Sequence, residues 1–252
     1  MSTTRPKVGM IVPPAAGEVP PEAPGLYGDR VDFVAAGLGL WKLTPEGYNG
    51  VIQRVGKLSR ELASEGAQAV SLMGTSLSFY RGPEYNTRLI EIMRAESGLP
   101  ATTMSTSVLD ALAMVGAKRL VVATPYVASV NRLLADFLVA SELEVTRLHG
   151  SEIERVEDIL AVSQEELLRL GRDAMQGVES ADALLISCGG LRTEEVTRKL
   201  EVEFGIPVIS SALAGAWGAV RLVGLSGQAR AGGCLFSWDS SNKYNKNIGR
   251  FT

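Results

Sequence analysis

Short apolar runs recur along the chain, separated by polar stretches with helical patterning. The runs are KVGMIVP (7–13), QAVSLM (68–73), ATTM (101–104), RLVVAT (119–124), LEVTRL (143–148), ALLIS (183–187) and PVIS (207–210). Most are near-continuously apolar rather than alternating, the pattern of strands covered on both faces. Between them, Thr44 and Pro45 supply an N-cap and a first-turn proline. Val51, Val55, Leu58 and Leu62 follow at helical spacing, with Gly66 as the stop. Ser163 and Glu166 form a capping-box pattern ahead of Leu167, Leu168 and Leu170. Thr193 precedes Glu194 and Glu195, which suit a helix N-terminus, and Val196 and Leu200 supply its apolar side. Alternating strands and helices predict an α/β fold with mainly parallel sheets flanked by helices.

The two halves resemble each other. KVGMIVPP from Lys7 matches KRLVVATPY from Lys118, AVSLMGTSLS from Ala69 matches ALLISCGGLR from Ala183, and GLPATTMSTSVLDAL from Gly98 matches GIPVISSALAGAW from Gly205. The matches come in the same order at similar spacings, which predicts two pseudo-symmetric lobes. Lobe 1 is expected over residues 1–115, completed by 212–252, and lobe 2 over 116–211. The alignment sets Cys188 opposite Gly74, each at the C-terminal end of a strand. Ligands of open parallel sheets bind beyond those ends. The active site is therefore expected in the cleft between the lobes, with GTS (74–76) facing CGG (188–190).

Composition narrows the chemistry. With 252 residues, 46% hydrophobic and 21% charged, the chain can bury a sizeable core. A net charge of −3 leaves no basic footprint for a nucleic-acid partner. No apolar run reaches the roughly 18 residues of a membrane span, and the apolar stretch at 8–12 reads as a first strand rather than a signal peptide. The two cysteines, Cys188 and Cys234, form no CxxC, so neither a disulfide framework nor a zinc site is expected. Cys234 lies in the Gly-rich stretch ARAGGCLF and is read as non-catalytic. A reduced, cytoplasmic setting follows, with no metal. The single histidine, His149, rules out His-rich metal sites, and no G-x-S-x-G elbow accompanies it as a triad would require. No interface is evident, so a monomer is the default expectation.

Two loops with one cysteine each, on two pseudo-symmetric lobes, are the pattern of the aspartate/glutamate racemase superfamily; here the first cysteine is absent. GMIVPPAAG (9–17), GLGL (37–40), TPEGY (44–48), VSLMGTSLSFYRG (70–82), TTMST (102–106) and SCGGL (187–191) closely resemble one branch of it, the arylmalonate decarboxylases. The likeness extends to about residue 235. It implies cofactor-free loss of CO2 from a small dicarboxylic acid, a 2-aryl malonate, followed by protonation to a product of R hand. An enediolate formed without a cofactor needs several donors aimed at two oxygens. The resemblance implies that Thr75, Ser76, Tyr126 and Gly189 form this dioxyanion hole, joined by the Cys188 N–H. It implies an apolar wall of Pro14, Leu40, Leu43, Val156 and Ile159 around the departing carboxylate. It also implies a proton-donor role for Cys188. The family pattern has Val near 43 and Met near 159, so Leu43 and Ile159 are expected to reshape the pocket.

A superfamily racemase uses a cysteine on each face of its substrate. Gly74, at the lost cysteine position, has no side chain to give or take a proton, so one-handed product is expected. The competing readings are a related racemase or cis-trans isomerase, of maleate or hydantoin type, and a non-catalytic small-acid-binding protein. The first would need a second base other than cysteine. The second leaves the Thr75, Ser76, Tyr126 and Cys188 set without a purpose. The polar tail 237–252 departs from the family pattern and is expected to fray.

Overall fold

The computed structural model describes residues 5–230 and 233–237. Its strands are β1 (Lys7–Val12), β2 (Asp32–Gly37), β3 (Ala69–Leu72), β4 (Ala101–Thr103), β5 (Arg119–Thr124), β6 (Glu144–Gly150), β7 (Ala183–Ile186) and β8 (Val208–Ser210). The helices are α1 (Glu22–Tyr27), α2 (Pro45–Val51), α3 (Val55–Ser64), α4 (Thr75–Phe79), α5 (Pro83–Ser97), α6 (Met104–Met114), α7 (Ala128–Ala140), α8 (Val156–Leu160), α9 (Gln164–Met175), α10 (Glu194–Phe204) and α11 (Ser211–Arg221).

Two four-stranded sheets form, ordered β2-β1-β3-β4 and β6-β5-β7-β8, and every pairing is parallel. The second order repeats the first with each strand advanced by four, so the internal repeat is a repeat of topology. The connecting hydrogen bonds repeat as well. Met73 N–H donates to Ile11 O at 2.8 Å, and Ser187 N–H donates to Ala123 O at 2.9 Å. These bonds place Gly74 and Cys188 at equivalent steps, each two residues past the end of its strand.

The third repeated segment also has a physical basis. Gly98 and Gly205 end α5 and α10 at φ 70° and 66°, a left-handed conformation that favours glycine. Two residues on, the Pro100 and Pro207 carbonyls accept from Val70 N–H and Leu184 N–H, which starts the next strand in each half. Helices α6 and α11 then pack against each other between the sheets. Small residues permit this approach. A Cβ at Gly215 would lie 2.8 Å from Met104 Cε, and one at Gly218 would collide with Ser107 Oγ.

Several local expectations need correction. Strand β2 (DFVAAG) escapes a search for apolar runs because Ala-Ala-Gly has little β character. Strand β6 has no fully buried residue and is not covered on both faces, because it lies at an open sheet edge. The helix expected from Pro45 to Gly66 is broken by a 3-10 turn over Ile52–Arg54, just after the helix-weakening Gly47 and Gly50. Thr44 does cap α2, accepting from Gly47 N–H, and the Ser163/Glu166 capping box is present. Thr193 precedes α10, but its side chain does not cap it; the hydroxyl instead meets Ser210 Oγ at 2.6 Å. The tail beyond residue 237 lies outside the described residues.

Candidate active site

A cavity of about 400 Å³ lies between the two sheets, at the C-terminal ends of their strands. Residues following β1, β2 and β3 line it from one side, and residues following β5, β6 and β7 from the other. All the sequence-derived candidates meet there: Pro14, Leu40, Leu43, Gly74, Thr75 and Ser76 from the first half, and Tyr126, Val156, Ile159, Cys188 and Gly189 from the second.

The polar end is buried. Thr75, Ser76 and Tyr126 are at most 4% exposed and Cys188 is 5% exposed. Thr75 and Ser76 open α4, so their N–H groups precede the first intrahelical bonds. Their peptides are held firmly. Ser78 Oγ donates to Gly74 O and Thr75 O, and Ser105 Oγ also donates to Thr75 O. With the Thr75 carbonyl so held, the trans peptide turns the Ser76 N–H the opposite way. The Thr75 hydroxyl donates to Met104 Sδ at 3.0 Å, a weak acceptor that a ligand oxygen would readily replace. Tyr126 Oη is buried with no hydrogen-bond partner in the protein. Gly189 and Gly190 form a turn ahead of α10, which begins at Glu194 as expected, so the Gly189 N–H is a turn donor rather than part of the helix N-terminus. A Cβ at Gly189 would lie 2.6 Å from Met104 Sδ and 3.2 Å from the Met73 carbonyl oxygen, so a side chain there would displace the end of Met104.

Burial pushes the Cys188 thiol up from 9.0 to about 11, while the Gly190 backbone and the Tyr126 hydroxyl pull the other way. The thiol is therefore protonated at neutral pH. Burial, followed by the nearby Cys188 and Tyr48, holds the Tyr126 phenol well above its usual range. Opposite Cys188, a Cβ at Gly74 would lie 2.7 Å from Leu77 Cδ1, the movable end of a side chain.

The apolar wall is built by contact between the halves. Leu43 N–H donates to Glu154 O at 2.8 Å, Val156 N–H donates to Trp41 O at 3.1 Å, and Lys42 bridges Arg155 in antiparallel fashion. This clasp turns Leu40, Leu43 and Val156 inward, and Ile159 follows one helical turn after Val156.

Sequence reasoning missed three contributors. Tyr48 is buried with its hydroxyl unpartnered, and Ser76 and Cys188 are among its polar neighbours. The loop residues Glu18–Pro21 and the side chain of Arg192 form the cavity's rim. The signal for Arg192 was its place immediately after CGGL. Among the described residues, no group of three His, Cys, Asp or Glu side chains is placed to hold a metal, and no helix is long and apolar enough to cross a membrane.

Paired parallel sheets with a strand-end cavity between them define a two-lobed α/β enzyme of the aspartate/glutamate racemase superfamily. A family model described as arylmalonate decarboxylase matches residues 8–236. The arylmalonate decarboxylase of Bordetella bronchiseptica is 47% identical over 232 residues, covering 92% of this chain and 96% of that one. A liganded arylmalonate decarboxylase carrying a glycine-to-cysteine and a cysteine-to-serine exchange superposes with a TM-score of 0.87 at 46% identity, covering 90% of this chain and 96% of that one. The maleate cis-trans isomerase of Nocardia farcinica shares the fold, with a TM-score of 0.84 at 20% identity over 92% of this chain and 97% of that one. The chain belongs to the arylmalonate decarboxylase family, and its enzyme class is that of a carboxy-lyase.

Proposed function

We propose that the chain decarboxylates 2-aryl malonates without a cofactor and protonates the product from one face through Cys188. The observation that carries this reading is the asymmetry of the cavity. Cys188 and Gly74 occupy equivalent strand ends on its two sides, and only one of them bears a titratable group.

One carboxylate of the substrate rests on the Thr75 and Ser76 hydroxyls, the Tyr126 phenol and the backbone N–H groups at 76 and 189. The other lies against Leu40, Leu43, Val156 and Ile159. That wall offers a departing carboxylate no hydrogen bond, whereas neutral CO2 is at ease there. Cleavage of the C–C bond releases CO2 and leaves its electron pair on the α-carbon, spread as an enediolate over the two retained oxygens. The donors preorganised around those oxygens stabilise the charge as it develops. Cys188 then transfers its thiol proton to the α-carbon, forming the C–H bond and a thiolate, which water reprotonates. Its elevated pKa keeps the acid form loaded at neutral pH. The opposite face meets Gly74, so product of a single hand forms, R by family analogy.

Incubation with phenylmalonate and no added cofactor tests the reading. CO2 release by the unaltered enzyme, falling about a hundredfold or more in Cys188→Ala, is the expected result. Near-normal release by that variant would remove Cys188 from the proton-donor role.

A further inference from the structure

The cavity has a charged mouth as well as a polar floor. Among the described residues that line it, only Glu18 and Arg192 carry charge. Arg192 Nη1 donates to Glu22 Oε2 at 3.3 Å, across 170 positions of sequence. The partners differ in burial: the Glu22 side chain is 5% exposed and that of Arg192 44%. Glu22 is thus a fixed, enclosed anchor for a guanidinium that stands at the solvent edge. One hydrogen bond occupies one of its five N–H donors, leaving the rest of the fork for a ligand. Glu18 is exposed, and its carboxylate is solvated at the rim.

We propose that Arg192 is a specificity-determining residue that contacts the far end of the substrate's 2-substituent. The malonates it favours carry, at the end of the aryl group remote from the α-carbon, a carboxylate or another strong hydrogen-bond acceptor. The inference rests on the decarboxylase reading and extends it to substrate class. The α-carbon of a 2-aryl malonate carries two carboxylates, the aryl group and a hydrogen or small alkyl group, and of these only the aryl group is long enough to reach the mouth. The buried donors take one carboxylate and the apolar wall takes the other, so the aryl group is directed toward the mouth. There a planar carboxylate meets a guanidinium already held in place by Glu22, and an anchored fork loses little freedom on binding it. Glu18, of opposite sign, limits general attraction of anions to the rim, so selection arises from direct contact.

The test is the ratio of kcat/KM for (4-carboxyphenyl)malonate to that for phenylmalonate, measured for the unaltered enzyme, Arg192→Leu and Arg192→Lys. Both substrates use the same Cys188 chemistry, so structural damage from leaving Glu22 unpaired cancels in the ratio. The expected result is a ratio that falls about tenfold or more in the leucine variant, the worth of a charge-assisted hydrogen bond, and less in the lysine variant. A ratio unchanged within about twofold in Arg192→Leu, well under what one such bond is worth, overturns the inference while leaving the decarboxylase reading intact. Turnover of neither substrate by the unaltered enzyme overturns both.

Discussion

Cys188 and Gly74 differ by one thiol, and the consequences of that difference can be measured residue by residue. With its thiol raised to about 11 by burial, Cys188 is an acid across the neutral range. Alkylation by iodoacetamide requires the thiolate. Labelling of Cys188, read by mass spectrometry, is therefore expected to be slow at pH 8 and to rise about tenfold per pH unit until the thiol titrates. Rapid labelling at neutral pH would show a thiolate instead. The sign for catalysis is the same: proton donation persists through neutral pH and is lost as pH rises through about 11. On the facing side, Gly74 has an ordinary extended φ of −134°, and an added Cβ meets the Leu77 side chain rather than backbone, nearest its movable Cδ1. Gly74→Cys is expected to fold and to racemise a chiral 2-arylpropionate slowly, observed by chiral chromatography. A folded variant without racemisation would contradict the facing geometry. This pair was legible in the sequence because the repeat aligned it. Tyr48 and Arg192 were not, since a sequence does not show which way a tyrosine on a short helix or an arginine in a loop will turn.

At the scale of elements, the strongest sequence signals were local ones with a hydrogen-bond mechanism. Ser163 with Glu166 and Thr44 with Pro45 act where expected. What escaped was set by tertiary contact. The hydroxyl of Thr193 is drawn to Ser210, and the wall-forming clasp at 41–43 and 154–156 pairs two loops distant in sequence. The cap on α9 gives a clean contrast between element and site. Ser163→Ala is expected to cost about 1 kcal/mol of stability, measured by urea unfolding, with kcat/KM unaltered because α9 does not line the cavity. A variant as stable as the parent would deny the capping box its energetic role.

For the whole molecule, the repeat explains why one cavity forms at all. Each half ends its strands in loops, and the α6–α11 contact together with the wall clasp brings the two sets of loops face to face. Helix α11 lies against α6 and α1, and Tyr27 Oη donates to Gly227 O at 2.6 Å. These contacts support grouping residues 212–227 with the first lobe, as we propose, while Cys234 N–H donates to Glu201 of α10 in the second. Close approach of α6 and α11 requires Gly218, so Gly218→Val is expected to lower unfolding stability by about 1–3 kcal/mol, seen as a reduced urea midpoint. An unchanged midpoint would show that the helices can part without cost. That β1, β3 and β4 recur as β5, β7 and β8 was legible from three short matches. The open edge at β6 and the extra strand β2 were not, because edge position is a property of the finished sheet.

The claim that joins these scales is one-sided protonation, and the enantiomeric composition of one product tests it most directly. Prochiral 2-methyl-2-phenylmalonate, turned over without added cofactor, is predicted to give 2-phenylpropionate of a single hand. Racemic 2-phenylpropionate from the same enzyme would contradict the account.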